Sequence, residues 1–561
     1  MGFPLEYERI GFVRGKSADN NVISFFDFHA AQCPERTALQ WVPQETLKSW
    51  DGSQPLAHEL ISYGEMSCRI RAIAAGLAHT GIRAGDRVIV FLPLSLEMYM
   101  SMFAVQRIGA IAVFLDSWAR RDHLRVCADV VEPKAMISFE RAFQLSGEVA
   151  PLAEMPLKIV AGPHQAEYNA RLEALVSGPA ENNITPVEGN DTALITFTTG
   201  SSGVPKGANR THRFLAAQHR ALDKVIPYRI HDRDFPVFPI FSLNNFAGGV
   251  TTVLPAIDLA NPSEKDPAML VNQIHEAEVT CCTVSPSLFV QIAEYCLEQD
   301  TILGGIRRVV TGGAPVSREN VDRMKTVAPG ANILVLYGST EVEPIAHIEA
   351  EEMLRDESAG EGVNVGRISE DLDWKLIRLS KTAIELTAEG WDEWEVEHGG
   401  TGELVVSGPH VCQGYYRNPD AFTKTKIKDP NAKVWHRTGD VGRVDEQERL
   451  WLVGRVHNAI VRNGEYLFPV QAEILLKGFA FVRQAAFLGI EDARLGEKAC
   501  AVISLRPEYA GRDRCVIEDE IAQLFAQQHI PVDDVIIVDH IPMDPRHHSK
   551  VEYAKLRELI V

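Results

Sequence analysis

Short β-branched runs that stop at turn or glycine residues and then give way to helical spacing recur along this chain, and they limit its fold more than any other feature. Arg87–Leu92 precedes an amphipathic stretch from Leu96 to Arg107, and Ala110–Leu115 precedes a second that ends near Val130. Ala193–Phe197, Val279–Val284, Arg308–Val310 and Ile333–Leu336 continue the series. Parallel strands need a helical crossover and are buried on both faces, so this alternation predicts an α/β fold whose strand ends emit ligand-binding loops. Between the last two runs, Ser317–Val327 reads as a helix capped by Ser317, with Glu319 and Asn320 in its first turn.

The pattern changes towards the C-terminus. Gln484–Leu505 carries two strand-like runs, Val516–Gln528 a helical one and Asp534–Val538 another strand, which predicts a small α+β lobe of about a hundred residues. A chain of 561 residues exceeds one core and accommodates a large domain plus such a lobe. The acidic stretch Glu349–Glu361 reads as a solvated surface segment. With 56 Lys+Arg against 76 Asp+Glu the net charge is −20, so a nucleic acid or an anionic membrane would meet repulsion. Nine scattered cysteines without a CxxC predict reduced, mostly buried thiols, not a zinc site or a disulfide framework. No stretch reads as membrane-spanning, because Val88–Phe114 is broken by Pro93, Glu97 and Arg107. Residues 1–16 place acids and aromatics where a signal peptide would have an apolar run; the expected location is the cytoplasm.

Three loops carry the chemistry. The strand at Ala193–Phe197 runs into Thr198, Thr199, Gly200, Ser201, Ser202, Gly203, Val204, Pro205, Lys206 and Gly207. Its glycines let backbone N–H groups approach a phosphate, its hydroxyls add donors and Lys206 adds charge. It is not a Walker A loop, because Pro205 precedes the lysine and Gly207 follows it. A plain Gly/Ser surface loop is the alternative for such a composition. Gly312, Gly313, Ala314 and Pro315 make a sharp turn after a strand. Tyr337, Gly338, Ser339, Thr340 and Glu341 end the next strand with a flat ring, hydroxyls and a carboxylate that suits a hard cation.

Thr198–Gly207 resembles the phosphate-loop signature of the adenylate-forming superfamily, which includes acyl-CoA synthetases, luciferases and the adenylation domains of peptide synthetases. The later motifs follow in the same order, so the resemblance covers nearly all of the chain from about Phe25 onward. It implies a large N-terminal α/β adenylation domain, residues 1–455, and a small mobile C-terminal α+β lobe, residues 456–561. It also implies that the 312–315 turn lies against adenine, that Tyr337 packs on the base, that Thr340 contacts the α-phosphate and that Glu341 holds Mg²⁺. Asp440, in Arg437–Asp440, corresponds to the ribose acceptor, and Arg455 lies near the ribose beside the hinge, where His457 replaces the common Asp or Lys. Pro545–Lys550 resembles the segment bearing the catalytic lysine, which makes Lys550 the group that stabilises charge at the α-phosphate.

The implied activity is ATP-dependent activation of a carboxylic acid, of the fatty type, as an acyl-adenylate with release of pyrophosphate. CoA is the expected acceptor. Two departures resemble the bacterial β-lactone synthetase branch instead. One is the Arg546-His547-His548-Ser549-Lys550 form. The other is Pro239–Gly249, which lacks the histidine many acyl-CoA ligases carry there and in which Phe241, Ser242, Asn244 and Asn245 are expected to line the substrate pocket. The alternatives are therefore closure of a β-hydroxy acid to a β-lactone without CoA, transfer to a separate carrier protein, and a non-catalytic nucleotide-binding scaffold.

Overall fold

The computed structural model describes residues 14–52, 54–115, 121–199, 205–257, 263, 266–355, 362–387, 389–543 and 551–560. Gly200, Ser201, Ser202, Gly203 and Lys550 lie outside the described residues.

Two parallel-rich sheets form the larger part of the chain. The nine-stranded sheet has Arg233–Pro236, Cys281–Val284, Arg308–Gly312 and Asn332–Ser339 side by side and parallel. Alternation along these strands separates two faces. Val309 and Ile333 meet helices Pro286–Glu298 and Arg318–Val327 through Ile292 and Val321, while Val310, Leu334 and Leu336 meet Leu222 and Phe241. Ser317 caps its helix as the sequence predicts, its hydroxyl accepting from the Asn320 N–H. The seven-stranded sheet aligns Arg87–Phe91, Ile111–Phe114 and Thr192–Thr199 in parallel and closes with an antiparallel edge strand, Pro205–Thr211. The two strands that flank the Gly/Ser segment pair antiparallel, with Thr199 opposite Pro205.

A third sheet, entirely antiparallel, is built from short strands between Val363 and Arg455. Of these, the sequence reading anticipated only the Arg449–Val453 run, observed at Leu450–Arg455. The turn Val456–Asn458 follows, and Ile460–Arg462 joins a five-stranded sheet whose long hairpin is Val482–Asp492 with Gly496–Leu505. Helix Arg514–Gln527 packs on that sheet through Ile517, Ile521 and Phe525, and Asp534–Ile537 pairs with it in parallel. Mixed α/β architecture with a large N-terminal part and a small C-terminal lobe is therefore the fold.

Two local expectations are corrected. Glu349–Glu361 is not solvated throughout, since Ala350–Arg355 is a helix that buries Ala350 and Met353 under the nine-stranded sheet. Pro239–Ala247 is a helix starting on Pro239. Its turn places Ser242, Asn244 and Asn245 in the interior, so only Phe241 of the four expected pocket residues lines the cavity described below. Asn245 donates to Asp234 Oδ2 at 2.9 Å, and Asn244 Oδ1 lies 2.7 Å from His219 Nδ1. These amides satisfy buried polar groups in the helix packing. Six of the nine cysteines are buried. Among the described residues no helix is long and apolar enough to cross a membrane.

Candidate active site

A cavity of about 2260 Å³ opens where the strands of both parallel-rich sheets end, reaching the antiparallel sheet and the Val456–Asn458 turn. Of the residues expected around a nucleotide, Lys206, Gly313, Gly338, Ser339, Thr340, Glu341 and Arg455 line it. His457 stands at its rim, within the turn that links the third sheet to the five-stranded one. Ala314 and Pro315 continue the turn after Gly313 and contribute no lining.

Gly312 and Gly313 are required for this geometry. A Cβ at Gly312 would lie 2.1 Å from the Leu336 carbonyl oxygen, so no side chain fits between the two strands there. Gly313 has φ +79°, the left-handed region that glycine enters without strain. Both glycines line the cavity.

Glu341 sits in a buried polar cluster. Tyr415 donates its hydroxyl to Glu341 Oε1 at 2.7 Å, and the Cys412 N–H donates to the Glu341 carbonyl. Burial pushes the Glu341 carboxyl up, but its neighbours outweigh burial and hold it below the usual range. Burial drives the adjacent His436 down to about 3, so this imidazole is neutral near pH 7 and Lys426 supplies the compensating charge. Lys426 is itself buried, with Nζ donating to the Cys412 carbonyl at 2.5 Å and lying 5.7 Å from the Tyr415 ring centroid. Lys206 approaches the same ring at 5.9 Å. The carboxylate oxygens suit a hard cation that arrives already bound to phosphates, and the neighbouring lysines suit the phosphates. Among the described residues no group of three or more His, Cys, Asp or Glu side chains gathers to hold a metal alone.

A second cluster stands at the other end of the motif order. Tyr337 donates its hydroxyl to Asp440 Oδ2 at 2.6 Å, and Arg455 Nε donates to Asp440 Oδ1 at 2.8 Å. Strand pairing sets this up, because Asp440 and Arg455 are direct cross-strand partners. Asp440 keeps Arg455 above its usual pKa, and burial followed by the Asp440 charge raises the Tyr337 phenol. Arg437, from the same short motif, also lines the cavity. It forms a buried ion pair with Glu403 at 2.7 Å and donates to the Thr382 and Ser380 carbonyls, so it braces the sheet. Burial, then the charge of Arg455, lowers the His457 imidazole.

The remaining wall is largely apolar, with Leu96, Met102, Phe114, Phe241, Leu243 and Met269 among its side chains. It suits a hydrocarbon chain. Tyr415, Lys426, His436, Arg210 and Glu343 escaped the sequence reading. Only Glu343 had a usable signal, since Glu341-Val342-Glu343 repeats a carboxylate at strand spacing.

The family model described as "AMP-binding enzyme" matches residues 26–416. The olefin β-lactone synthetase of Stenotrophomonas maltophilia is 30% identical over 512 residues, covering 88% of this chain and 90% of the relative. 4-Coumarate–CoA ligase 5 of Oryza sativa subsp. japonica is 24% identical over 508 residues, covering 87% of each. Among solved structures, ATP-bound MatB from Rhodopseudomonas palustris superposes with a TM-score of 0.78 at 21% identity, covering 96% of this chain and 98% of that one.

Proposed function

We propose that this chain, which belongs to the AMP-binding enzyme family, is an ATP-dependent, AMP-forming carboxylate ligase that passes the activated acyl group to CoA. The observation that carries the reading is the single cavity that joins the Lys206, Thr340–Glu341 and Arg455 groups to an apolar wall, the arrangement that brings a triphosphate and a hydrocarbon acid together. A carboxylate is a poor electrophile, whereas its mixed anhydride with AMP has a good leaving group. In this reading Lys206 and the Thr198–Gly203 segment bind the phosphates, Thr340 donates at the α-phosphate and Glu341 holds Mg²⁺, which offsets phosphate charge when bound. Asp440 and Arg455 hold the ribose. Lys550, on the C-terminal lobe from residue 456 onward, stabilises charge as the carboxylate attacks, and the turn at His457 is the hinge. The CoA and aryl ligases among the relatives support the thioester step, and the working location remains the cytoplasm.

A second reading, closure of a β-hydroxy acid to a β-lactone through its adenylate, is favoured by the 30%-identical relatives named for that activity. A hydroxyl held near the acyl carbon gains the intramolecular advantage, with effective molarities of ~10⁵ M or more. Incubation with ATP, Mg²⁺ and matched plain and 3-hydroxy fatty acids, with and without CoA, tests both readings. AMP and pyrophosphate with thioester only when CoA is present supports the first; a CoA-independent product 18 mass units below the hydroxy acid supports the second. ADP and phosphate as the only nucleotide products would sink adenylation itself.

A further inference from the structure

Beside the cavity one short segment, residues 411–416, fastens two strands that belong to different sheets. Val411 bridges Val342 in antiparallel sense, and the Cys412 N–H donates to the Glu341 carbonyl at 2.7 Å, which ties the segment to the nine-stranded sheet. The Asn209 N–H then donates to the Gly414 carbonyl at 3.1 Å, Ala208 bridges Tyr415, and the Tyr416 N–H donates to the Gly207 carbonyl at 2.8 Å. Those bonds tie the same segment to the edge strand Pro205–Thr211 of the seven-stranded sheet.

This fastening delivers the Tyr415 side chain to both partners at once. Tyr415 is buried and lines the cavity. Its hydroxyl donates to Glu341 Oε1 at 2.7 Å. Across the bridge it faces Ala208, and Lys206, two residues earlier on that strand, shares the face, with Nζ over the ring at 5.9 Å from its centroid. A phenol can serve a cation and an anion without cancelling either. Its π-face attracts an ammonium while adding no negative charge, and its O–H donates to a carboxylate while adding no positive charge. An acidic or basic side chain at this position would pair with one of the two and withhold it from a ligand.

We infer that Tyr415 is a positioning residue, which orients Glu341 towards a phosphate-bound cation and Lys206 towards the phosphates, so that the two charges act on one nucleotide. This rests on the roles that the adenylation reading gives to Lys206 and Glu341. Tyr415 acts through those side chains and not on the reacting atoms. Its hydroxyl takes up one of the acceptor sites of the carboxylate and thereby fixes how that group is turned, which is how hydrogen-bond partners of metal-binding carboxylates raise metal affinity.

The experiment measures ATP binding by calorimetry without acid, once in excess EDTA and once in saturating Mg²⁺, for wild type, Tyr415→Phe, Tyr415→Leu and Glu341→Gln. Tyr415→Phe keeps the ring and removes only the hydroxyl. Partners of this kind are worth about 10- to 100-fold in metal affinity, so affinity for ATP with Mg²⁺ should fall by about tenfold or more, while metal-free affinity stays within about twofold. Tyr415→Leu should show the same loss and also bind metal-free ATP about two- to fivefold more weakly, because Lys206 loses the ring face. Circular dichroism melts without nucleotide confirm that each variant is folded. Equal loss with and without Mg²⁺ in Tyr415→Phe would make the hydroxyl a packing contact, and no loss in either condition would show that Glu341 is oriented without it; each result overturns the inference. Unchanged metal-free affinity in Tyr415→Leu would overturn the Lys206 half. Glu341→Gln separates the inference from the reading beneath it. If that variant keeps the full effect of Mg²⁺, the metal role of Glu341 falls and the inference with it; if it loses the effect and Tyr415→Phe does not, the inference alone falls.

Discussion

In the proposed reading Asp440 serves both architecture and ligand. Its two oxygens already accept from Tyr337 and Arg455, yet each carboxylate oxygen has a second lone pair for a ribose hydroxyl. Asp440→Ala should raise the KM for ATP at least tenfold. It should cost only about 1 kcal/mol of stability, because Arg455 is half exposed and can be solvated once its partner is gone. Nucleotide titration alongside denaturant unfolding checks both halves; an unchanged KM would leave Asp440 a purely structural residue. Asn245 makes the opposite case. It is fully buried and bonded to Asp234, which Tyr228 also contacts. Asn245→Ala strips a hydrogen bond from a buried carboxylate, and an expected loss of ~1–3 kcal/mol should come without a change in the ratio of rates between acids of different length. A shifted ratio would return Asn245 to the substrate pocket.

At the level of elements, the ends of neighbouring strands hold the turns that line the cavity. Arg308–Gly312 and Asn332–Ser339 run in parallel register, so Gly312 comes opposite Leu336 and the following turn opens beside Gly338–Glu341. Gly312→Ala would drive a methyl group into backbone, which cannot rotate away as a side chain could. The strands must then spread, at a cost of ~1–3 kcal/mol or more. Because the spread falls within the turns proposed to bind the nucleotide, the KM for ATP should rise in the same variant, measured on protein confirmed folded by circular dichroism. Normal stability with normal kinetics would mean that the two strands are not held at this spacing.

Across the whole molecule, buried histidines set the acid limit of stability. Burial pushes His29 and His212 down to about 4 and His436 to about 3. In the unfolded chain each returns to about 6.5. The folded state therefore keeps them neutral while the unfolded state takes up protons, and stability that is fully present above pH 6.5 is lost as pH falls towards 4. Each could contribute up to about 3 kcal/mol of that loss. Urea midpoints should be flat from pH 7 to 8 and fall steeply between pH 6.5 and 4.5; a flat profile across the lower range would show that these rings are not buried neutral.

Helix starts, strand runs and glycine turns are set by residues close together in the chain, which is why the Ser317 cap, the Gly312–Gly313 turn and the succession of strands and helix in the C-terminal lobe were legible beforehand. The family was legible for the same reason, because each motif that carries the resemblance is a few neighbouring residues. Helical and strand periodicity say that a segment has two faces, but not what each face meets. Only the packing of two parallel-rich sheets decided that Phe241 faces the cavity while Ser242, Asn244 and Asn245 face inward, and only the pairing of the antiparallel sheet brought Arg437 to Glu403.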